Sequence, residues 1–138
     1  MNVLLSIKPK YVKAILNGTK KYEFRKSAFR CKEDIELVYM YVTSPVKKIV
    51  GVFTIENIVE DYPKNLWAKF KQFSGIEEEE FFRYFGGNKK GFAIKIEKIE
   101  VFESPIDPFR EFSDFKPPLS FYYIDENVFF NKVLNRIW

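Results

Sequence analysis

Between positions 18 and 26 the chain reads Gly-Thr-Lys-Lys-Tyr-Glu-Phe-Arg-Lys, which places four cations and one carboxylate within seven residues. Lys20, Lys21 and Lys26 offer point charges and Arg25 a planar fork, the two kinds of donor that hold a phosphate. Glu23 and Arg25 are two positions apart and share a face if the segment is a strand. Glu23 then either orients the guanidinium or, in a sharper role, accepts a base amino group or serves as a general base. Lys20 stands near Tyr22 and Phe24. Partly desolvated there, its amine has a lowered pKa suited to moving a proton; the plainer alternative is a lysine whose stem covers aromatic surface. Strict alternation puts Lys20 opposite Glu23, so the three charges meet only if Lys20 precedes the regular strand or a bulge intervenes. The motif charges are read as lining solvent, so losing one should change stability by less than about 1 kcal/mol.

The chemistry left to these residues is narrowed by what the chain lacks. There is no histidine and one cysteine, Cys31, which removes Ser-His-Asp triads, Cys-His pairs, ordinary catalytic zinc sites and an internal disulfide. Residues 1–48 carry 11 Lys/Arg against 4 Asp/Glu, whereas the remainder carries 12 against 15, so the excess of cations belongs to one end. Such an end favours phosphate-bearing ligands, with a solvated basic face as the alternative.

The elements that must position these side chains follow from pattern. Val3 to Ile7 reads as a short buried strand, and Pro9 then suits the first turn of a helix with Tyr11, Val12, Ile15 and Leu16 as its apolar stripe. Asn17-Gly18 supplies a left-handed stop, and Tyr22 to Arg25 a second strand. Leu37 to Val42 and Ile49 to Ile55 are apolar enough to be covered on both faces, with Ser44-Pro45 turning between them and Gly51 marking a bulge. Asp61-Tyr62-Pro63 opens a helix through Phe73, and Ser74 with Glu77 forms a capping box for a helix anchored by Phe81, Phe82 and Phe85. The run Glu77 to Glu80 lies in that helix's first turn, where its dipole favours negative charge.

From Phe92 the apolar residues switch from even to odd positions, which predicts a bulge near Glu97-Lys98. Ser120 to Ile124 reads as a last strand and Asp125 as the cap of a terminal helix, with Phe129 in a hydrophobic staple. Strands without regular helix alternation predict a small α+β barrel of five or six strands with short flanking helices, one domain over 1–138. The longest charge-free stretch, Leu37 to Val46, is ten residues, half of the ~20 a membrane span needs.

The spacing GxKxxExR at Gly18 to Arg25 resembles the signature of the ASCH domain, a branch of the PUA-like superfamily. The lead-in Leu5-Ser6-Ile7-Lys8-Pro9 looks like that family's, and Pro117 to Tyr123 is similar to the tail of one of its branches. The resemblance implies a pseudo-β-barrel with a cleft beside the motif, and proteins that bind RNA or act on it. We read Ser6, Lys8, Lys20, Glu23, Arg25 and Lys26 as lining that cleft, with Lys21 a further ligand-binding candidate. Tyr122, next to Tyr123, is the candidate stacking platform, with Tyr84 a weaker one.

The expected partner is RNA or a nucleotide in the cytoplasm, with no cofactor, metal or membrane. A second reading is a metal-independent hydrolase of RNA or of a modified nucleoside, with Lys20 and Glu23 as the catalytic pair. A third is a protein-binding regulatory module. Acetylcytidine amidohydrolases in the family carry a nucleophilic threonine where this chain has Glu23; Thr19, Ser6 or Ser120 would have to replace it.

Overall fold

The computed structural model describes residues 1–29 and 35–124. Cys31 and the terminal helix expected from Asp125 lie outside the described residues. The elements run β1 (Asn2–Ile7), α1 (Pro9–Leu16), β2 (Tyr22–Arg25), β3 (Val38–Val42), β4 (Lys48–Asp61), α2 (Pro63–Phe70), α3 (Glu78–Phe85), β5 (Gly91–Ile106), α4 (Pro108–Glu111) and β6 (Phe121–Ile124). All six strands join one sheet in the order β2-β5-β4-β3-β1-β6. Only β1 and β3 pair in parallel; the other neighbours are antiparallel.

The sheet curls because its two longest strands are bulged. Ile96 faces Ile55 while Ile99 faces Phe53, so β5 spends one residue more than β4 between those pairs, at the predicted Glu97-Lys98. A second shift lies around Gly51, where any Cβ would overlap the carbonyl oxygen of Glu100. Extra residues on one strand of a pair force bend and twist, and a long hairpin so bent wraps into a half-barrel. The fold is thus the α+β pseudo-barrel of six strands with short helices that the pattern implies.

Val3, Leu5, Ile7, Val38, Met40 and Val42 bury one face of the parallel pair together with Val12 and Ile15 of α1. Leu4, Tyr39 and Tyr41 pack on the other face against Phe102 and Ile106, which is why β3 is apolar at every position. A third cluster, Phe24, Leu66, Phe81, Phe85 and Ala93, fastens α2 and α3 over β2 and β5.

Local signals hold at α1 and fail at α3. Pro9 occupies the first turn of α1, and Gly18, at φ +86°, turns the chain out of it. The capping box does not form: Glu77 is the N-cap of α3 without a side-chain bond, and the Ser74 hydroxyl is directed to the carbonyls of Lys71 and Ile76 inside the preceding turn. The residues around Ser74 bend back toward β2 before α3 begins, so the serine is spent on that turn. The Ser44-Pro45 bond between β3 and β4 is cis.

Candidate functional site

The first and last strands of the curl meet at a seam, and the charges at 18–26 sit on it. Arg25, on edge strand β2, donates from Nη2 to the Ser6 carbonyl of β1 at 2.5 Å and from Nη1 to Ser120 Oγ at 3.4 Å. Ser6 in turn gives its amide to the Ser120 carbonyl and its hydroxyl to the Pro118 carbonyl at 2.6 Å. Arg25 therefore joins the two edges of the half-barrel through a side chain where no backbone ladder can.

Glu23 lies one turn of the pleat away and accepts from Arg25 Nη2 at 2.7 Å. Lys20 comes before β2, outside the alternation, which frees its amine to reach 3.7 Å from the other oxygen of Glu23. Its Nζ also donates to the Ser74 carbonyl at 2.7 Å and stands 5.0 Å from the ring centres of both Tyr11 and Phe24. Here the structure corrects the expectation of solvent-lined charges: the side chains of Lys20, Glu23 and Arg25 are 1%, 5% and 11% exposed. Helix α3 and the turn before it cover them, and sequence spacing carries no sign of that cover. Burial pushes the Lys20 pKa down; the Glu23 charge works against that shift and the Arg25 charge adds to it.

Above this floor is a cavity of about 440 Å³. Ser6, Lys8, Lys20, Glu23 and Arg25 line it, and Lys21, Lys26 and Tyr122 do not. Lys21 extends over the Phe73 ring and Lys26 over the Tyr84 ring. Tyr122 packs against the core cluster around Tyr39 and gives its hydroxyl to the Lys116 carbonyl, so it is no stacking platform for this cavity. Tyr84 is the tyrosine that reaches the cavity from α3. Its hydroxyl accepts from the Lys26 amide, and burial raises its pKa.

Pattern reading missed Tyr11, Thr43, Ile76, Glu80, Phe81, Arg83 and Leu119, which complete the walls. Tyr11 was assigned to an apolar stripe, yet its hydroxyl donates to Glu80 at 2.5 Å and Lys10 donates to the same oxygen at 2.6 Å. Burial first, then this bond, raises the Tyr11 pKa; the Lys10 bond, then the Tyr11 bond, lowers that of Glu80. Glu80 does lie in the first turn of α3, but it also ties α3 to α1. The available signal was that Glu80, Arg83 and Tyr84 fall three and four apart on one helix face. Leu119, fully exposed, stands at the mouth of the cavity.

Ser6, Ser120 and Thr19 are not set up as acyl-transfer nucleophiles. Ser6 gives its proton to a carbonyl, Ser120 accepts from Arg25, and Thr19 is exposed and bonded to Asn17 Oδ1 at 2.7 Å.

The seam and its buried charges define a pseudo-barrel with a polar cavity held between the first helix and α3. The chain belongs to the ASCH domain family, whose family model matches residues 5–106. An ASCH domain-containing ribonuclease of Zymomonas mobilis is 28% identical over 123 residues, covering 85% of this chain and 80% of that protein. The crystal structure of ASCH from Zymomonas mobilis matches at TM-score 0.86 and 25% identity over 97% of this chain and 94% of that one. The N-terminal domain of Staphylothermus marinus McrB shares the fold at TM-score 0.61 and 12% identity, over 98% and 93% of the two chains. Among the described residues, no helix is long and apolar enough to cross a membrane.

Proposed function

We propose that this chain binds single-stranded RNA in the cavity over Lys20, Glu23 and Arg25 and cuts it without a metal ion. The observation that carries this reading is the desolvated Lys20–Glu23–Arg25 cluster at the floor of a nucleotide-sized cavity whose rim bears Lys8 and Arg83. The ribonuclease name of the Zymomonas relative supports the substrate class.

In this reaction the ribose 2′-hydroxyl attacks the adjacent phosphorus; the O2′–P bond forms and the P–O5′ bond breaks. The nucleophile belongs to the substrate, so a chain without histidine needs no side-chain nucleophile for this step. It must move a proton and stabilise charge on the phosphoryl oxygens. Lys20, whose proton burial loosens, takes the 2′-hydroxyl proton in its neutral form, water supplies the proton that the departing O5′ needs, and Glu23 orients the amine. Lys8 and Arg83 on the rim are placed to meet phosphate, while Tyr84 offers a ring to an unpaired base.

The test uses an end-labelled short RNA and the DNA of the same sequence in excess chelator. RNA should be cut to products ending in a 2′,3′-cyclic phosphate, Lys20→Met should abolish cutting, and DNA should survive. Equal cutting of DNA, or full activity in Lys20→Met, would sink the mechanism. If three to five cations contact phosphates, binding should weaken with salt at a logarithmic slope of about −2 to −3.5. Acetylcytidine should not be deacetylated, because the hydroxyls of Ser6 and Ser120 are turned to a carbonyl and to Arg25 and not to a base.

A further inference from the structure

The Lys20 amine is held chiefly by residues more than fifty positions away. The short turn after α2, with Lys71–Phe73 in its tight helical part, runs across the segment that enters β2. Three contacts fix it there. The Lys21 amide donates to the Phe73 carbonyl at 2.9 Å, and Lys20 Nζ donates to the Ser74 carbonyl at 2.7 Å. Between them, Gly75 lies directly on the lysine stem. Its φ is +65°, and a Cβ built there would overlap Lys20 Cβ and lie 2.7 Å from Cγ and 3.0 Å from Cα. Real Cβ atoms do not approach so closely, so only glycine lets the backbone rest on that chain.

The turn is itself braced. Ser74 is buried, and its hydroxyl is directed to the Lys71 carbonyl at 2.9 Å and the Ile76 carbonyl at 3.3 Å. This explains why Ser74 does not cap α3: its side chain closes the turn, and its carbonyl receives the amine.

We propose that the Phe73–Ile76 turn is the positioning element of this site, with the Ser74 carbonyl and the side-chain-free Gly75 clamping the Lys20 amine toward Glu23. Ser74 and Gly75 are positioning residues that act through Lys20. A carbonyl can fix the direction of an amine without ionising, so the position of Nζ does not depend on the protonation of the turn. The titratable and charged groups around that amine are Glu23 and Arg25 from β2, Tyr11 from α1 and Glu80 from α3. The kinetic part of the proposal rests on the RNA-cleaving reading; the geometric part does not.

The experiment is Gly75→Ala, read by carbon NMR at Lys20 Cε across pH and by the pH–rate profile for RNA cleavage. Displacing the stem lets water reach the amine, so the Lys20 titration midpoint should rise toward the ordinary lysine range. Cleavage should fall by about 10- to 100-fold in kcat with KM little changed, as expected when the proton-transfer group is misplaced and the rim cations that meet phosphate stay where they are. Gly87→Ala, where a Cβ meets nothing within 4 Å, should leave both readouts at wild type. Should Gly75→Ala fail to fold, Ser74→Ala removes the bracing hydroxyl, keeps the carbonyl, and should move both readouts the same way by less. A folded Gly75→Ala with an unchanged or lowered Lys20 midpoint overturns the clamp. If the wild type cuts no RNA, the cleavage reading falls while the NMR midpoint still decides the clamp.

Discussion

Two ion clusters in this molecule each set a lysine beside a carboxylate and differ in their access to water. At the end of β4, Asp61 accepts from Lys69 at 2.9 Å, from Asn65 at 2.9 Å and from the Tyr62 amide at 2.7 Å. Those bonds, that of Asn65 first, hold its pKa at about 2. Yet Lys69 remains more than half exposed, and salt and water screen what the pair contributes. At the seam, Glu23 holds Arg25 at 2.7 Å and faces Lys20 at 3.7 Å, with Lys20 and Glu23 buried and Arg25 nearly so. Water replaces a missing partner less readily there. The outer cluster adjusts a helix start; the inner one closes a barrel and gives a lysine an altered affinity for its proton.

The sharpest break in that comparison is Glu23→Ala. It leaves Lys20 and Arg25 buried without their carboxylate and should cost about 3–5 kcal/mol, measured as the urea midpoint. Arg25→Ala should cost about 3 kcal/mol for the same reason and because the seam loses its bond to Ser6. A loss under 1 kcal/mol in both would show that water does reach the floor.

Lys20→Met comes next and should keep stability within about 1 kcal/mol, since an apolar chain of similar length fits a site where the charge was costly to bury. Its mark is in the pH dependence. Lys20 binds its proton less tightly folded than unfolded, so stability in the wild type should rise with pH between its lowered folded value and the ordinary value of about 10.4. Tyr11 works in the opposite sense above about pH 10, where the unfolded tyrosine ionises and the folded one does not. The slope is therefore read below pH 10, and Lys20→Met should flatten it.

The smallest effect belongs to Asp61→Asn. Asp61 contributes above its unfolded value of about 3.9, and that contribution is lost as pH falls toward 2. The variant should match wild type at low pH and fall slightly below it near neutrality in thermal melts. A large drop would mean that the outer cluster is as sealed as the inner.

The candidate site was legible in part because several of its residues are local to one another. Gly18 must end a helix, Glu23 and Arg25 must share a strand face, and Ser6 and Lys8 come immediately before the helix that ends there. Tyr122 lies away from the cavity, which two adjacent tyrosines in a strand do not reveal; Leu4, Tyr39 and Phe102 lie in the cluster that covers it. Lys21 and Lys26 extend over exposed rings beside the cavity and not into it.

By itself the sequence determined the strand faces, the glycine stop, the bulge at Glu97-Lys98 and the exclusion of histidine chemistry, since each depends on residues within about one turn or one strand of each other. Only the tertiary structure decided that Arg25 bridges the sheet's edges, that Glu80 meets Tyr11, and that Ser74 and Gly75 seat Lys20. Those contacts span from 54 to 95 positions of chain, apart from the bond of Arg25 to Ser6, and their geometry follows from how far the bulged hairpin curls. Burial, which sets these charges apart from those of the surface, is a property of that closure and of no single segment.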